Sequence, residues 1–245
     1  MKIGIIGAGN IGATIARKLA ACGHGIKLAN SKGPESIRDL SQSIGVTAVT
    51  KEEAVKDVDV VVLSIPFSSY RDLGKLFSGV PDDVIVVDTS NYYPARDGAI
   101  TDVDNGKPES VWVSECLSRP VIKAWNALLA ETLANKGQPE GVASRIAVPV
   151  AGDDTRAEAV VQDLVEQTGF DALASGGLID SWRQQPGTPA YCTELSLAEL
   201  KAALLAADKD QAPLNRDALM DEFSSADGGL THDHVVARNR AVTSR

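Results

Sequence analysis

One hexapeptide constrains the fold more than any other part of the chain: Gly7-Ala8-Gly9-Asn10-Ile11-Gly12, a G-x-G-x-x-G run. Alone the pattern is weak, because glycine-rich turns are common. Here it directly follows Lys2-Ile3-Gly4-Ile5-Ile6, an apolar run of strand length. It also opens a stretch that carries Ile15, Ala16 and Leu19 on one helical face. Strand, glycine turn and helix in that order are the context a dinucleotide fingerprint requires. Gly7 permits the tight turn, Gly9 lets backbone approach a pyrophosphate, and Gly12 lets helix and strand pack closely. The helix start adds unpaired amides and a partial positive charge. Ala8, Asn10 and Ile11 complete the expected phosphate loop.

Strand-length apolar runs alternate with helical patterns along most of the chain. Strands are expected at residues 2–6, 25–29, 46–49, 58–63, 84–88, 120–124, 145–150 and 171–174. Helices are expected at 11–22, 35–43, 69–77, 127–135, 155–168 and 195–207, the last capped by Thr193. Several strands are unbroken Val/Ile runs, as in strands covered on both faces. The alternation predicts an α/β fold: a Rossmann-type, doubly wound, mostly parallel sheet with a small C-terminal α/β portion. The expected divisions are a dinucleotide-binding domain over 1–142, a substrate-side portion over 143–222 and a polar tail over 223–245. That tail, with its Asp227-Gly228-Gly229 turn, reads as a mobile end or as an arm ordered by a second subunit in a homodimer.

Cofactor choice is read at the end of the second strand. An NAD site usually places a carboxylate there for the ribose 2′-hydroxyl. This chain has Asn30-Ser31-Lys32-Gly33 instead. Ser31 can donate to a 2′-phosphate and Lys32 can pair with it, and no acid stands there to repel it. NADP(H) is the expected dinucleotide. Later strand ends supply the other expected contacts: Ser64-Ile65-Pro66, Thr89-Ser90-Asn91 and Trp125-Asn126. On the substrate side, residues 182–191 combine Trp182, Arg183 and Tyr191 in a loop stiffened by Pro186 and Pro189. Together with Trp125 they are the expected substrate contacts, and Tyr92, Tyr93 and Arg96 come next. No Ser/His/Asp or Cys/His set stands out, so no catalytic acid or base is assigned. Thr231-His232-Asp233-His234 lacks evident partner ligands, so no metal is expected. Cys192 reads as an inert thiol.

The same residues carry a family resemblance. The glycine motif, Ala29-Asn30-Ser31-Lys32-Gly33-Pro34-Glu35-Ser36, Ser64-Ile65-Pro66, Asp88-Thr89-Ser90-Asn91 and Val121-Ile122-Lys123-Ala124-Trp125-Asn126 resemble NADPH-dependent reductases of the deazaflavin coenzyme F420. Relatives of that family include the oxidoreductase domain of the STEAP metalloreductases. The resemblance spans roughly residues 1–207 and is strongest in the first half. It implies hydride transfer between NADP(H) and a ring acceptor, coenzyme F420 or a flavin. It also implies a Ser-Arg pair on the 2′-phosphate, with Lys32 in the arginine's place and without its bidentate fork. The chain departs from the family in its longer C-terminus, its Gln-Gln-Pro-Gly-Thr-Pro-Ala-Tyr segment, and Trp125 where Phe is common.

Bulk properties narrow the partners. A net charge of −9 argues against a nucleic-acid groove or an anionic membrane surface. No apolar run nears the ~20 residues a membrane span needs. The three cysteines share no metal-type spacing, and nothing before the first strand reads as a signal peptide, so a cytoplasmic setting is expected. The primary expectation is an NADPH-dependent oxidoreductase acting on a small-molecule ring acceptor. The alternatives are a reductase of a small carbonyl or imine, and a non-enzymatic NADP sensor.

Overall fold

Six strands form one parallel sheet: β1 (Lys2–Ile6), β2 (Gly25–Ala29), β3 (Thr47–Ala48), β4 (Val60–Leu63), β5 (Ile85–Asp88) and β6 (Ile122–Lys123). This computed structural model describes residues 1–225 and 229–243, so Asp227 and Gly228 lie outside the described residues. The spatial order is 3-2-1-4-5-6, the Rossmann order, which reverses direction between β1 and β4. A crevice therefore opens at the carboxyl edge above those two strands. The strands β7 (Ala147–Val150) and β8 (Asp171–Ala174) pair in parallel with each other. One antiparallel bridge, Lys123 to Ala151, ties this smaller sheet to the end of β6. The α/β, mostly parallel architecture is the expected one.

Twelve helices surround the sheets among the described residues. They are α1 (Asn10–Ala21), α2 (Arg38–Ile44), α3 (Lys51–Ala54), α4 (Gly74–Phe77), α5 (Pro94–Asp97), α6 (Thr101–Asp104), α7 (Glu109–Leu117) and α8 (Ala130–Asn135). The rest are α9 (Thr155–Gln167), α10 (Leu197–Ala206), α11 (Gln211–Ser224) and α12 (His232–Thr243). Strand side chains alternate between two cores. Ile3, Ile5, Val60, Val62 and Val87 pack with Ile15 and Leu19 of α1 and Val161 and Leu164 of α9. Ile6, Val61, Leu63 and Val86 pack on the other face with Ala54, Phe67, Trp112 and Val113. Both faces are covered, which is why these strands read as unbroken apolar runs. No helix of the described residues is long and apolar enough to cross a membrane.

Several expected helices differ in detail, each for a local reason. The one at 35–43 begins as a 3-10 turn, Pro34–Ile37, with the proline at its start. The one at 69–77 becomes a 3-10 turn, Phe67–Asp72, followed by α4. Gly74 passes so close to Cys116 that a Cβ would sit 2.7 Å from its carbonyl oxygen. α10 is capped by Ser196, in a reciprocal box with Glu199, and not by Thr193. Thr193 instead donates to the Pro189 carbonyl (2.7 Å) within the preceding turn. The short helices α3, α5 and α6 and the longer α7, α11 and α12 fall outside the expected helices. α7 buries Glu109 and Ser110 beside Trp112, which erases the expected polar face. α12 is mostly polar and is held by ion pairs, with Arg238 fork-bonded to Glu222 of α11 (2.6 and 2.8 Å).

Candidate cofactor and substrate site

The three glycines of the first turn divide into two kinds. Gly7 has φ +114°, and a Cβ there would stand 2.0 Å from the Ser64 carbonyl oxygen. A Cβ on Gly12 would stand 1.9 Å from the Gly7 carbonyl oxygen. Both positions exclude any side chain by contact with this chain's own backbone. Gly9 is different: a Cβ would meet nothing within 4 Å. It opens on space above α1, whose first turn carries no acidic residue. The first intrahelical bond runs from the Ala13 N–H to the Gly9 carbonyl (2.9 Å), so the earlier amides face outward. These residues fit an anionic dinucleotide bridge: open backbone, outward amides and no repelling carboxylate.

The loop after β2 is shaped by its own side chains. The Asn30 side chain accepts from the Lys32 N–H (3.0 Å) and donates to the Ser36 hydroxyl (2.8 Å). Ser36 in turn donates to the Gly33 carbonyl (2.7 Å), beside a left-handed turn with Gly33 at φ +88°. Asn30 therefore frames the loop, and Ser31 and Lys32 are exposed at its tip. Arg38, the nearest helix cation, is ion-paired with Glu35.

A cleft of about 310 Å³ lies at the carboxyl edge of the sheet. Ile11, Ser64, Ile65 and Pro66 form one wall, and Thr89, Ser90 and Asn91 form the floor. Tyr93, Arg96, Leu128, Leu129, Ala130, Tyr191 and Cys192 close the far side. Asn126 stands behind this surface and is 2% exposed. Its amide donates to Asn91 Oδ1 (3.0 Å) and to the Gln184 carbonyl (2.8 Å), while Asn91 donates back to the Asn126 carbonyl (3.0 Å). Asn126 thus holds Asn91 in place. Arg96 donates to the Asn91 carbonyl (2.6 Å) and chelates Asp97.

Of the expected substrate contacts, the structure brings Tyr191 to the cleft and leaves Trp125, Trp182 and Arg183 away from it. Trp125 is 1% exposed inside the core, with its Nε1–H on the Thr168 hydroxyl (3.2 Å). Trp182 faces a separate small pocket beside Lys107, Pro186 and Lys209. Arg183 stacks on Trp182 (4.5 Å to the ring centroid) and donates to the Leu204 carbonyl (3.1 Å).

Tyr191 belongs to a strained loop. Cys192 and Glu194 have φ +55° and +51°, a region that costs side-chain-bearing residues about 1–2 kcal/mol each. Long-range bonds hold it: Cys192 N–H to the Ala127 carbonyl (3.0 Å), and Arg240 of α12 to the carbonyls of Thr193 (2.6 Å) and Glu194 (2.8 Å). The Glu194 carboxylate accepts from Thr132 (2.7 Å) and Lys136 (2.9 Å) and meets His232 Nε2 at 2.6 Å. Its charge is penalised by burial, but these bonds outweigh the penalty and hold it below the usual carboxylate range. The Cys192 thiol is pushed up to about 12 by burial, so it stays protonated.

Under the cleft floor lies a buried polar network centred on Lys123. Lys123 is 0% exposed, with its Nζ 3.5 Å from Asp88, 3.5 Å from Glu109 and 3.1 Å from the Ser90 carbonyl. Asp88 also accepts from Tyr70 (2.7 Å), Ser110 (2.6 Å), and the Ser90 amide and hydroxyl (2.9 and 2.6 Å). Burial opposes its charge, but Lys123 and these donors outweigh that and hold it low. Glu109 has fewer donors, and burial raises it to about 7 despite Lys123. Lys123 stands equally close to both carboxylates, and the additional hydroxyl and amide donors set Asp88 apart. The network fixes the Ser90–Asn91 backbone that floors the cleft.

Comparison with known proteins agrees with this architecture. A family model described as coenzyme F420-dependent NADP oxidoreductase matches residues 2–92. The putative protein YjhV of Escherichia coli K12 is 38% identical over 104 residues, covering 42% of this chain and 76% of that protein. The crystal structure of the hypothetical protein SMa0349 from Sinorhizobium meliloti is 31% identical, with a TM-score of 0.69 over 80% of this chain and 95% of that one. A putative F420-dependent NADP-reductase from Arthrobacter sp. FB24 is 21% identical, with a TM-score of 0.58 over 73% of this chain and 86% of that one. The fold is further shared with a 3-hydroxyisobutyrate dehydrogenase of Mycobacterium tuberculosis (TM-score 0.54) and an imine reductase from Pseudomonas sp. (TM-score 0.51). None of these likenesses supports a relationship to the STEAP metalloreductases. The chain has the fold of NAD(P)(H)-dependent oxidoreductases, and it belongs to the family of the Sinorhizobium and Escherichia coli proteins, a group related to the F420-dependent NADP oxidoreductases.

Proposed function

We propose that the chain is an NADP(H)-dependent reductase of a small carbonyl or imine compound. The observation that carries this reading is that the glycine turn, whose backbone is open at Gly9, also sends Ile11 into the wall of the cleft beside Ile65, Asn91 and Tyr191. In this reading the pyrophosphate crosses Gly9 and takes amides from Asn10, Ile11 and Gly12, with Ala8 at the turn. Ser31 and Lys32 hold the 2′-phosphate in the loop that Asn30 shapes. Ser64, Ile65 and Pro66 line the ribose and one face of the nicotinamide. Asn91, steadied by Asn126, meets the carboxamide. The bound dinucleotide supplies a hydride, and the surrounding side chains orient it and exclude water.

A small acceptor suits the far side better than a fused ring. Tyr93, Arg96, Leu129 and Tyr191 close the cleft, and Trp125, Trp182 and Arg183 offer no stacking surface there. A second reading, hydride exchange with coenzyme F420 or a flavin, is favoured by the family match over residues 2–92. That match covers the dinucleotide half and leaves the acceptor side open. The test is NADPH oxidation by the purified chain, followed by nicotinamide absorbance, against aldehydes, ketones and cyclic imines beside coenzyme F420 and free flavins. Turnover of small carbonyls or imines is expected. Turnover of the ring acceptors alone overturns the small-substrate reading. NADPH binding without any turnover replaces the enzyme with an NADP sensor.

A further inference from the structure

Two cavities meet at a pair of tyrosine hydroxyls. One is the cleft at the carboxyl edge of the sheet. The other, of about 150 Å³, lies under α11 and α12 and is walled by Leu129, Pro186, Leu219, Met220, Phe223 and Val235. Tyr93 and Tyr191 line both, and their hydroxyl oxygens are 2.8 Å apart. The two tyrosines come from elements far apart in sequence, one before α5 and the other before α10. Burial pushes both phenols above the usual tyrosine range, so each keeps its proton at neutral pH. Two hydroxyls joined by one bond use one hydrogen between them. The second hydrogen is then available to whatever occupies the space beside them.

We propose that the cavity under α11 and α12 holds the apolar part of the substrate, a small, neutral carbonyl compound or its imine, with the carbonyl at the boundary with the cleft where the nicotinamide lies, and that the Tyr93–Tyr191 pair gives it the proton that reduction requires. This rests on the reading of the chain as a dinucleotide-dependent reductase. An apolar space of this volume suits a molecule about the size of benzene. A fused tricyclic ring is too large for it. Arg216 lines the cavity, but its guanidinium stacks over the Tyr92 ring (5.6 Å) and its Nε donates to Asp217 (2.7 Å). The Asn239 amide is taken by the Val235 carbonyl (2.8 Å). Apolar side chains make up most of the wall, which suits a neutral ligand, and the Arg216 Nη groups are its one cationic feature.

The chemistry balances. Hydride from a reduced nicotinamide forms a C–H bond at the carbonyl carbon, and the C=O π pair moves to oxygen. That oxygen takes the phenol proton and becomes a hydroxyl; an imine nitrogen becomes an amine. The phenolate left behind regains a proton from solvent, through the other tyrosine, once the products have left the cleft. One NADPH and one solvent proton are consumed per carbonyl. A developing alkoxide is a stronger base than a phenolate, so raised phenols still give up the proton. The pair then needs no histidine or carboxylate beside it.

Three measurements on the full chain test this. Saturation-transfer NMR with benzaldehyde and with cyclopentanone, in the absence of dinucleotide, is expected to show binding to the wild type and loss of binding in Leu219→Trp, which fills the cavity. Absence of binding to the wild type, or binding kept in Leu219→Trp, overturns the site. NADPH affinity in that variant is expected within about twofold of wild type, which separates a filled cavity from a damaged fold. Tyr191→Phe and Tyr93→Phe are expected to lower kcat ~100-fold or more, with KM and NADPH affinity within about threefold. Wild-type kcat in both variants overturns the proton role while leaving the reductase reading intact. Tighter binding of benzoate than of benzaldehyde overturns the neutral substrate. If the wild type binds no dinucleotide, the reductase reading fails, and the NMR arm still decides whether the cavity takes a carbonyl ligand.

Discussion

The glycine turn and the Cys192 turn both reach the cleft, through Ile11 and Cys192, and their backbones are held there by opposite means. The Gly9 turn is local. Its determinants are Gly7 and Gly12 on either side and one strand end at Ser64, all read from spacing. The Cys192 turn is a side-chain-bearing residue at φ +55°, held by Ala127, by Arg240 on α12, and by Thr132 and Lys136 through Glu194. Cofactor binding can thus be written in a short segment, because a pyrophosphate asks for backbone. Shaping the substrate side takes contacts spread over more than a hundred residues.

The sharpest way to break the comparison is inside the glycine turn. Gly12→Val is expected to abolish folding, since even a Cβ would stand 1.9 Å from the Gly7 carbonyl. Gly9→Val is expected to keep Tm within ~3 °C of wild type, because its Cβ has open space, yet to lose NADPH and NADH affinity by ~100-fold or more. Thermal melts with and without NADPH decide it. Equal destabilisation by both variants removes the distinction between packing and ligand-facing glycines.

Next comes the buried network under the cleft floor. Lys123→Met leaves Asp88 and Glu109 facing each other without a cation, at a cost of about 3–5 kcal/mol in urea unfolding. Its neighbour Glu109 gives a pH signature. Its carboxyl rises from 4.5 to about 7 on folding, through burial first. Between those values the folded chain keeps a proton that the unfolded chain has released. Stability therefore falls as pH rises through this window. Glu109→Gln is expected to flatten that slope in urea melts at stepped pH, and an unchanged slope assigns the titration to another group.

The contrast in legibility follows the same physics. Strands β1, β4 and β5 are legible because burial on both faces writes unbroken Ile/Val runs. The parallel order follows from alternation with helices. Helix α12 is not legible, because its stability comes from Arg238 and Arg240 reaching other segments and leaves no apolar period. Trp125 and Trp182 show the converse error. Aromatic residues beside strand ends and in Pro/Gly loops look like ring-stacking groups, but Trp125 packs inward under α9 and Trp182 serves a separate pocket. Tyr93 and Tyr191 meet across 98 positions, and no spacing rule joins them.

At the tip of the loop after β2, Lys32→Glu is expected to cost NADPH ~10-fold in affinity, about 1.4 kcal/mol, by repelling the 2′-phosphate, with NADH little changed. Titration of both dinucleotides checks it, and an equal loss for both removes the 2′-phosphate from this loop. On the other side, Arg240→Ala removes the two bonds to the Thr193 and Glu194 carbonyls. A stability loss of about 1 kcal/mol is expected, with a larger drop in turnover than in NADPH affinity. A drop confined to NADPH affinity denies the C-terminal helix a part in shaping the substrate side.

The smallest effect is expected at a residue that the sequence offered as a substrate contact. Arg183, beside Trp182 in the Pro/Gly loop, has the donors of a substrate-head receptor and stands next to the last strand's exit. In the structure its guanidinium lies on the Trp182 ring and its Nη1 on the Leu204 carbonyl, both directed toward α10 and away from the cleft. Removing it takes away one stacking contact and one hydrogen bond at a half-buried position, with no group left charged and unpaired. Arg183→Ala is therefore expected to keep both NADPH affinity and turnover within about twofold of wild type, under ~0.5 kcal/mol. Parallel kinetics with Tyr191→Phe give the contrast. If Arg183→Ala lowers turnover as far as the tyrosine variant does, the substrate side extends along the whole loop and the cavity under α11 and α12 is only part of it.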